Sequence, residues 1–171
     1  PIFRSWNPTS SPTRYFPRLI NLLNNTSVIG EILPTYARTL TFRLTARDNK
    51  AGGGGVNYAQ MQFNVDGNSG PFAVTSPNTN VSWAGSSSQT ITWDVTNTNI
   101  APVNCANVRI LLSTDGGQTF PTVLSANTPN DGSESVTIPN TPTAQARIKV
   151  EAVGNIFFDL SNVNFTIEEA I

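Results

Sequence analysis

The sequence contains no histidine and only one cysteine, Cys105, among its 171 residues. These two residue types supply most zinc ligands, general bases and activated nucleophiles in enzymes. Their scarcity removes the usual routes to metal-assisted, triad and thiol catalysis, and a single cysteine excludes an internal disulfide. We therefore expect a chain without catalytic residues, in which Cys105 is an inert residue in or near the core.

Charge is also scarce, because Asp, Glu, Lys and Arg make up only 12% of the chain, about half of the usual fraction. Asn, Thr and Ser are abundant instead, together with 12 glycines and 12 prolines. This composition is typical of extracellular all-β modules. The sequence also lacks an apolar run long enough to span a membrane, so no membrane span is expected.

The few charges are unevenly distributed along the chain. Residues 1–50 carry seven Lys or Arg against two acids, whereas residues 51–171 carry three against nine. The basic residues are scattered among Pro, Ser and strand positions and do not cluster with aromatic residues on one face. This pattern favours a solvated or neighbour-facing surface over a nucleic-acid interface, and no nucleic-acid partner is expected.

The first 69 residues predict an extended segment followed by a β-hairpin. Four prolines (Pro1, Pro8, Pro12 and Pro17) exclude a long helix or central strand near the start, and residues 19–23 predict one helical turn. Two alternating runs, 39–47 and 58–65, predict strands joined by the glycine run 52–55. We interpret residues 1–69 as a lead-in that lies over a neighbouring domain, plus the last hairpin of a larger, truncated β-domain.

Residues 70–171 predict a complete sandwich. Seven short alternating segments begin near positions 72, 81, 90, 108, 136, 148 and 163, with Gly, Asn, Asp and Ser turn signals between them. About seven strands in about 100 residues is the pattern of an immunoglobulin-like or fibronectin type III-like sandwich. Trp93 is in phase with Ile91 and Val95, which places it in the core. The predicted fold class is therefore all-β.

The most specific short motif runs from Ser113 to Phe120. Its Ser113, Asp115, Gly117, Thr119 and Phe120 resemble the Asp-box of sialidases and related propellers. An Asp side chain can accept backbone N–H groups of its own turn, and glycines adopt positive φ there. Since the motif occurs once and no blade-length repeat accompanies it, we predict a structural turn and no sialidase activity.

Acidic residues near turns offer candidate calcium ligands, because carboxylates and carbonyls can converge there on a hard cation. The best candidates are Asp48, Asp131 and Glu134. They lack the regular spacing of a dedicated calcium loop, so a turn-capping role is the alternative interpretation.

Trp83 is a candidate surface contact. An exposed Trp on a sandwich face can stack on a sugar ring, and so can Trp6, which lies in the extended segment. Core or inter-domain packing is the more common position of such large aromatics. An extracellular adhesion or carbohydrate-binding module is accordingly the alternative function.

Several stretches resemble a region that follows the protease domain in secreted reprolysin-like zinc metallopeptidases of Bacteroidetes. The matching stretches of the N-terminal part are 1–5 (PIFRS), 14–17 (RYFP), 31–34 (EILP) and 38–49 (RTLTFRLTARDN). Those of the sandwich, besides the Asp-box-like motif, are 70–77 (GPFAVTSP), 91–95 (ITWDV), 146–150 (ARIKV), 158–161 (FDLS) and 164–167 (NFTI).

The resemblance implies a non-catalytic accessory region that acts as spacer, stabiliser or substrate-docking surface. Zinc would be held upstream, by a His-Glu-x-x-His-x-x-Gly-x-x-His helix, and no catalytic or cofactor-binding residue is transferred to this chain. The implied partners are the upstream protease domain and a protein or polysaccharide substrate. The implied location is secreted or at the cell surface, with this chain a piece of a larger exported protein.

Overall fold

The computed structural model describes residues 2–7 and 9–171. Pro1 and Pro8, two of the prolines that predict the extended segment, lie outside the described residues. The chain divides into two compact units, one of residues 2–33 with Ser69–Ile171 and one of Pro34–Asn68. The elements are α1 (Leu19–Leu23), β1 (Arg38–Arg47), β2 (Val56–Val65), β3 (Ala73–Ser76), β4 (Ser82–Ala84), β5 (Ser88–Asp94), β6 (Asn107–Ser113), β7 (Thr122–Pro129), β8 (Ser133–Thr137), β9 (Thr143–Ala152), β10 (Phe158–Leu160) and β11 (Phe165–Glu168).

The first unit contains a two-sheet sandwich. One sheet has the order β3-β5-β8, and the other has the order β4-β11-β9-β6-β7, with β10 added to β9. All pairs are antiparallel except β4 with β11, which is parallel. A sheet of β3, β5 and β8 facing β6, β9 and β11 corresponds to the A-B-E and C-F-G sheets of immunoglobulin domains. The predicted all-β sandwich fold is confirmed.

The core lies between the two sheets and is formed by every second residue of their strands. Fully buried side chains come from β5, β6, β9 and β11: Ile91, Val108, Ile110, Ile148, Val150 and Phe165. Trp93 is 3% exposed, as its phase predicts. The sequence did not reveal β7 or β10. β7 has few apolar residues and an irregular register with β6, and β10 has only three residues, so neither shows a clear alternation.

The second unit is a hairpin of β1 and β2, in continuous register from Arg38–Val65 to Arg47–Val56. The predicted strands lie one or two residues inside the observed ones. The rings of Phe42 and Phe63 stack with centroids 5.1 Å apart. Further along the same face, Leu44 and Met61 are 77% and 62% exposed. A two-stranded hairpin with so much exposed apolar surface contributes little stability by itself.

Residues 2–7 and 9–33 form an extended segment, the N-terminal strap, that lies on the outer face of the sandwich. The predicted helical turn is confirmed as α1. The strap contacts the sandwich of its own chain, whereas the sequence predicted contact with a separate neighbouring domain. Its coverage explains why Arg147 and Lys149, on the outer side of β9, are only 7% and 8% exposed.

Replacing a core residue tests the sandwich. Ile110→Ala is expected to lower the free energy of unfolding by about 2–5 kcal/mol, because Ile110 is fully buried between the sheets. The matched control Ile156→Ala removes the same atoms at a position that is 65% exposed, and it should change stability by less than about 0.5 kcal/mol. Urea unfolding followed by circular dichroism measures both. Equal losses in the two variants would contradict the core.

Candidate functional site

The Asp-box turn, residues 113–120, is closed by its own side chains. Ser113 Oγ donates to Asp115 Oδ1 at 2.6 Å and accepts the Gly117 N–H at 2.9 Å. Thr119 donates to the same carboxylate twice, from its N–H at 3.0 Å and its hydroxyl at 2.6 Å. The hydrogen bonds from Ser113 and Thr119 lower the pKa of Asp115 to about 2. The carboxylate therefore holds the turn together.

Gly117 is the position at which the turn receives the strap. Its φ is +89°, and a Cβ built there would lie 2.5 Å from Leu23 Cδ2 and 3.6 Å from Phe120 Cζ. Leu23, the last residue of α1, is 7% exposed. The backbone conformation favours glycine, and a Cβ at this position would force the Leu23 side chain to move. The Asp-box turn is thus the surface on which α1 packs.

Arg147 connects the strap to the sheet through a buried guanidinium. Its Nε donates to Asn164 Oδ1 at 2.6 Å and its Nη1 to the Ser161 carbonyl at 2.6 Å. Its Nη2 donates to the Leu23 carbonyl at 3.3 Å. Burial lowers the pKa of Arg147, but a guanidinium remains protonated at physiological pH. Three neutral oxygens, two from the β10–β11 connection and one from α1, therefore solvate one buried charge.

Lys149 lies among three aromatic rings beside Arg147. Its Nζ is 4.8 Å from the ring centroid of Phe158, 5.5 Å from that of Tyr15 and 5.8 Å from that of Phe120. These distances are within the range of cation–π attraction. Tyr15 comes from the strap and Phe120 from the Asp-box turn, so the ammonium joins both to β9.

Glu151 pairs with two cations at the end of this row. Lys149 and Arg109 both form ion pairs with its carboxylate. Burial alone would raise the pKa of Glu151, but hydrogen bonds and charge from Lys149 and Arg109 lower it below the ordinary value. Next to Glu151 and its two cations lies a groove of about 360 Å³, which is bordered by Tyr15 and Phe120.

Glu31 organises the strap itself and is 2% exposed. Trp6 Nε1 and the Arg14 guanidinium donate to its Oε1, and the Arg18 N–H donates to Oε2 at 2.8 Å. Burial alone would raise the pKa of Glu31, but these hydrogen bonds from Arg14, Trp6 and Arg18 lower it. The guanidinium carbons of Arg4 and Arg18 lie 4.4 and 4.2 Å from the Trp6 ring centroid. The extended segment is therefore internally cross-linked.

The candidate calcium ligands accept hydrogen bonds from their own turns or, for Glu134, from the strand β7. Asp48 accepts the N–H groups of Lys50 at 3.1 Å and Gly55 at 3.0 Å, and hydrogen bonds from Gly55 and Lys50 lower its pKa. Asp131 accepts the Ser133 N–H at 3.4 Å, and Glu134 accepts the Thr128 hydroxyl. Over residues 2–7 and 9–171, no three Asp, Glu or Cys side chains form a metal-ligand group. Calcium binding at these residues stays a prediction.

The Trp and Cys residues of the sandwich pack inward to different degrees. Trp83 is half-buried, with its ring 4.8 Å from that of Phe165, so part of its surface is used against the core. Trp93 Nε1 donates to Asn130 Oδ1 at 2.9 Å. Cys105 is 3% exposed, and burial raises the pKa of its thiol. A raised pKa keeps a thiol protonated and poorly nucleophilic.

Comparison with models of protein families and with curated proteins finds no match for this sequence. Within the part of the chain that the structure describes, no helix has the length and apolar character needed to cross a bilayer.

The sequence reasoning identified the Asp-box turn but missed the charged row Arg147, Lys149 and Glu151. These three residues alternate with the core residues Ile148 and Val150. The alternation indicates that the charged side chains lie on the face of β9 opposite the core. Alternation does not show that a strap covers that side. The contacts with Tyr15 and Leu23 join parts of the chain that are far apart in sequence.

Enlarging Gly117 tests the packing of α1 on the turn. Gly117→Ala is expected to destabilise more than the matched Gly116→Ala. Both positions have positive φ, which costs about 1–2 kcal/mol for alanine, but a Cβ at Gly116 meets its nearest atom only at 3.6 Å. The steric overlap with Leu23 should add about 1–3 kcal/mol at Gly117. Thermal unfolding of both variants gives the difference.

A double variant identifies the source of that difference. Combining Gly117→Ala with Leu23→Ala removes the overlapping methyl, so the two losses should not add. Additive losses would show that Leu23 does not occupy the space above Gly117.

The low pKa of Asp115 predicts a specific acid dependence. The pKa of Asp115 is about 2 in the folded chain against an ordinary value of 3.8, so ionised Asp115 stabilises the fold above about pH 4. This contribution is lost as the pH falls toward 2. Wild type should therefore lose more stability between pH 4 and pH 2 than Asp115→Asn does, as measured by thermal unfolding. Parallel losses would mean that the carboxylate does not hold the turn.

Proposed function

We propose that this chain is a non-catalytic accessory region of a secreted or cell-surface zinc-metallopeptidase-like protein. It would act as a spacer, stabiliser or docking surface next to a protease domain that lies upstream in the same polypeptide. The family stretches quoted above, including PIFRS and GPFAVTSP, support this assignment. The sequence contains no histidine, so the histidine zinc ligands that the resemblance implies would belong to the upstream domain.

The observation that carries the proposal is that the carboxyl groups with shifted pKa values form hydrogen bonds within this chain. Each carboxyl whose pKa is shifted accepts hydrogen bonds from this chain's own groups: Glu31, Asp48, Asp115, Glu151 and Asp159. Burial raises the pKa of Asp159, yet its Oδ2 accepts the Val74 N–H at 2.7 Å and so joins β10 to β3. Glycoside hydrolysis, which can proceed without histidine, uses a pair of carboxyls that face a substrate cleft. Groups engaged in holding strands and turns do not supply that pair.

The strap also offers a surface for an adjoining domain. Four of its apolar residues are largely exposed, at 46–84% of their surface: Ile20, Ile29, Ile32 and Leu33. Large exposed apolar side chains that are close in sequence are typical of surfaces covered by a partner. We assign this surface to the upstream domain.

A side-by-side proteolysis assay tests the proposal. Casein is incubated with the isolated chain and with the same chain extended upstream to include the preceding domain, each with and without a zinc chelator. The isolated chain should leave casein intact, whereas the extended protein should cleave it and stop when chelated. Cleavage by the isolated chain would overturn the accessory role. An upstream reading frame without the zinc-ligand helix would overturn the peptidase assignment.

A further inference from the structure

The groove on the outer face of the sandwich combines apolar and charged walls. Leu111 and Val123 are register partners on β6 and β7 and supply apolar surface. Leu111 is 7% exposed, whereas Val123 is 53% exposed and open to a ligand. Arg109 and Glu151 line the same groove. An apolar side chain and a charged group of one ligand could therefore be bound together.

Arg109 can offer the two Nη groups of its guanidinium to a ligand in this groove. Its Nε pairs with Glu151, and its side chain is 51% exposed. Among the residues that the structure describes, no group hydrogen-bonds to its Nη1 or Nη2. The two Nη groups of a guanidinium match the two oxygens of a carboxylate. Lys149 and Arg109 together outweigh the single charge of Glu151, which also favours an anion.

The geometry favours a peptide over a sugar. Lys149 lies within cation–π distance of Tyr15 and Phe120, so these rings are already engaged and are poor platforms for stacking on a saccharide. Among residues 2–7 and 9–171, β7 is the last strand of its sheet, and no strand pairs with the other side of its backbone. An extended peptide can bind along such an edge through main-chain hydrogen bonds.

We propose that this groove binds an extended peptide segment in which an acidic residue is next to an apolar one. The carboxylate pairs with Arg109, and the apolar side chain contacts Val123 and Leu111. The proposal goes beyond the accessory role, because it assigns a ligand to this chain itself whether or not a peptidase domain lies upstream.

The test measures binding to the full chain by fluorescence anisotropy. The probes are labelled octapeptides blocked at both ends, in which Val, Leu, Phe or Tyr flanks a single central Glu. Matched peptides carry Gln in place of Glu. A trimer of galacturonate is added as a competitor, because it presents carboxylates on a saccharide. Binding is expected for Glu peptides and at least about tenfold weaker for the Gln peptides, since a charge-assisted pair is lost.

Variants of the chain locate the site. Arg109→Gln should weaken binding of the Glu peptides about tenfold, and Arg109→Lys should weaken it less, because the charge remains while the two-pronged geometry is lost. Half-exposed ion pairs contribute little to stability, so both variants should fold, which thermal unfolding verifies. The matched control Arg47→Gln removes an exposed arginine of the hairpin and should leave binding unchanged.

Each of the following results would overturn the proposal. They are equal binding of Glu and Gln peptides, unchanged binding by Arg109→Gln, equal weakening by Arg47→Gln, and an absence of binding by every peptide. Galacturonate binding that depends on Arg109, without peptide binding, would assign the groove to acidic saccharides and would also overturn it. None of these results changes the outcome of the casein assay, so the two proposals fail independently.

Discussion

The buried guanidinium of Arg147 is the constraint on which the arrangement of the strap depends. A charge removed from water must regain its hydrogen bonds inside the protein, or burial costs several kcal/mol. Arg147 regains them from Asn164, the Ser161 carbonyl and the Leu23 carbonyl. Two of these acceptors lie on the β10–β11 connection and the third lies on α1. Displacing α1 would therefore leave Arg147 Nη2 without its acceptor in a largely enclosed site. The position of the strap is therefore coupled to that of the β10–β11 connection.

A chain of contacts extends this coupling across the sheet. Asp115 fixes the turn that places Gly117 under Leu23 and Phe120 beside Lys149. Lys149 then pairs with Glu151, which in turn holds Nε of Arg109. Each charged group in this chain of contacts has a partner in its own turn, on its own strand or on a neighbouring element. The outer face of the sandwich is thus organised by polar contacts, while the inner face is organised by apolar packing.

The sequence predicted the strands in which apolar and polar residues alternate. Strands such as β5 and β9 alternate apolar and polar residues, so their existence and their core faces were predictable. β7 and β10 were not, since a run containing Ser125, Asn127 and Pro129, or one only three residues long, has no periodic pattern to read. The prolines predicted an extended segment but not the surface that it covers. That surface is fixed by contacts such as Arg147 to Leu23, which are 124 residues apart in sequence.

The Asp-box turn and the groove differ in the same way, since one is formed by local contacts and the other by distant ones. The Asp-box turn was predictable because its residues lie within eight positions, whereas the groove brings Tyr15 of the strap together with Arg109 of β6. No spacing rule joins such positions. The candidate calcium residues were predictable as turn residues, since Asp48 and Asp131 each accept an N–H group two positions further along the chain.

The groove and the strap are physically one system. The strap covers β9 enough to bury Arg147 and Lys149, but it leaves Arg109 on neighbouring β6 half exposed. The groove lies at this limit of the strap, and Tyr15 contributes to both. A ligand that contacts Tyr15 together with Arg109 would lose one of its contacts if the strap were displaced. By mass action, binding of such a ligand would stabilise the docked strap.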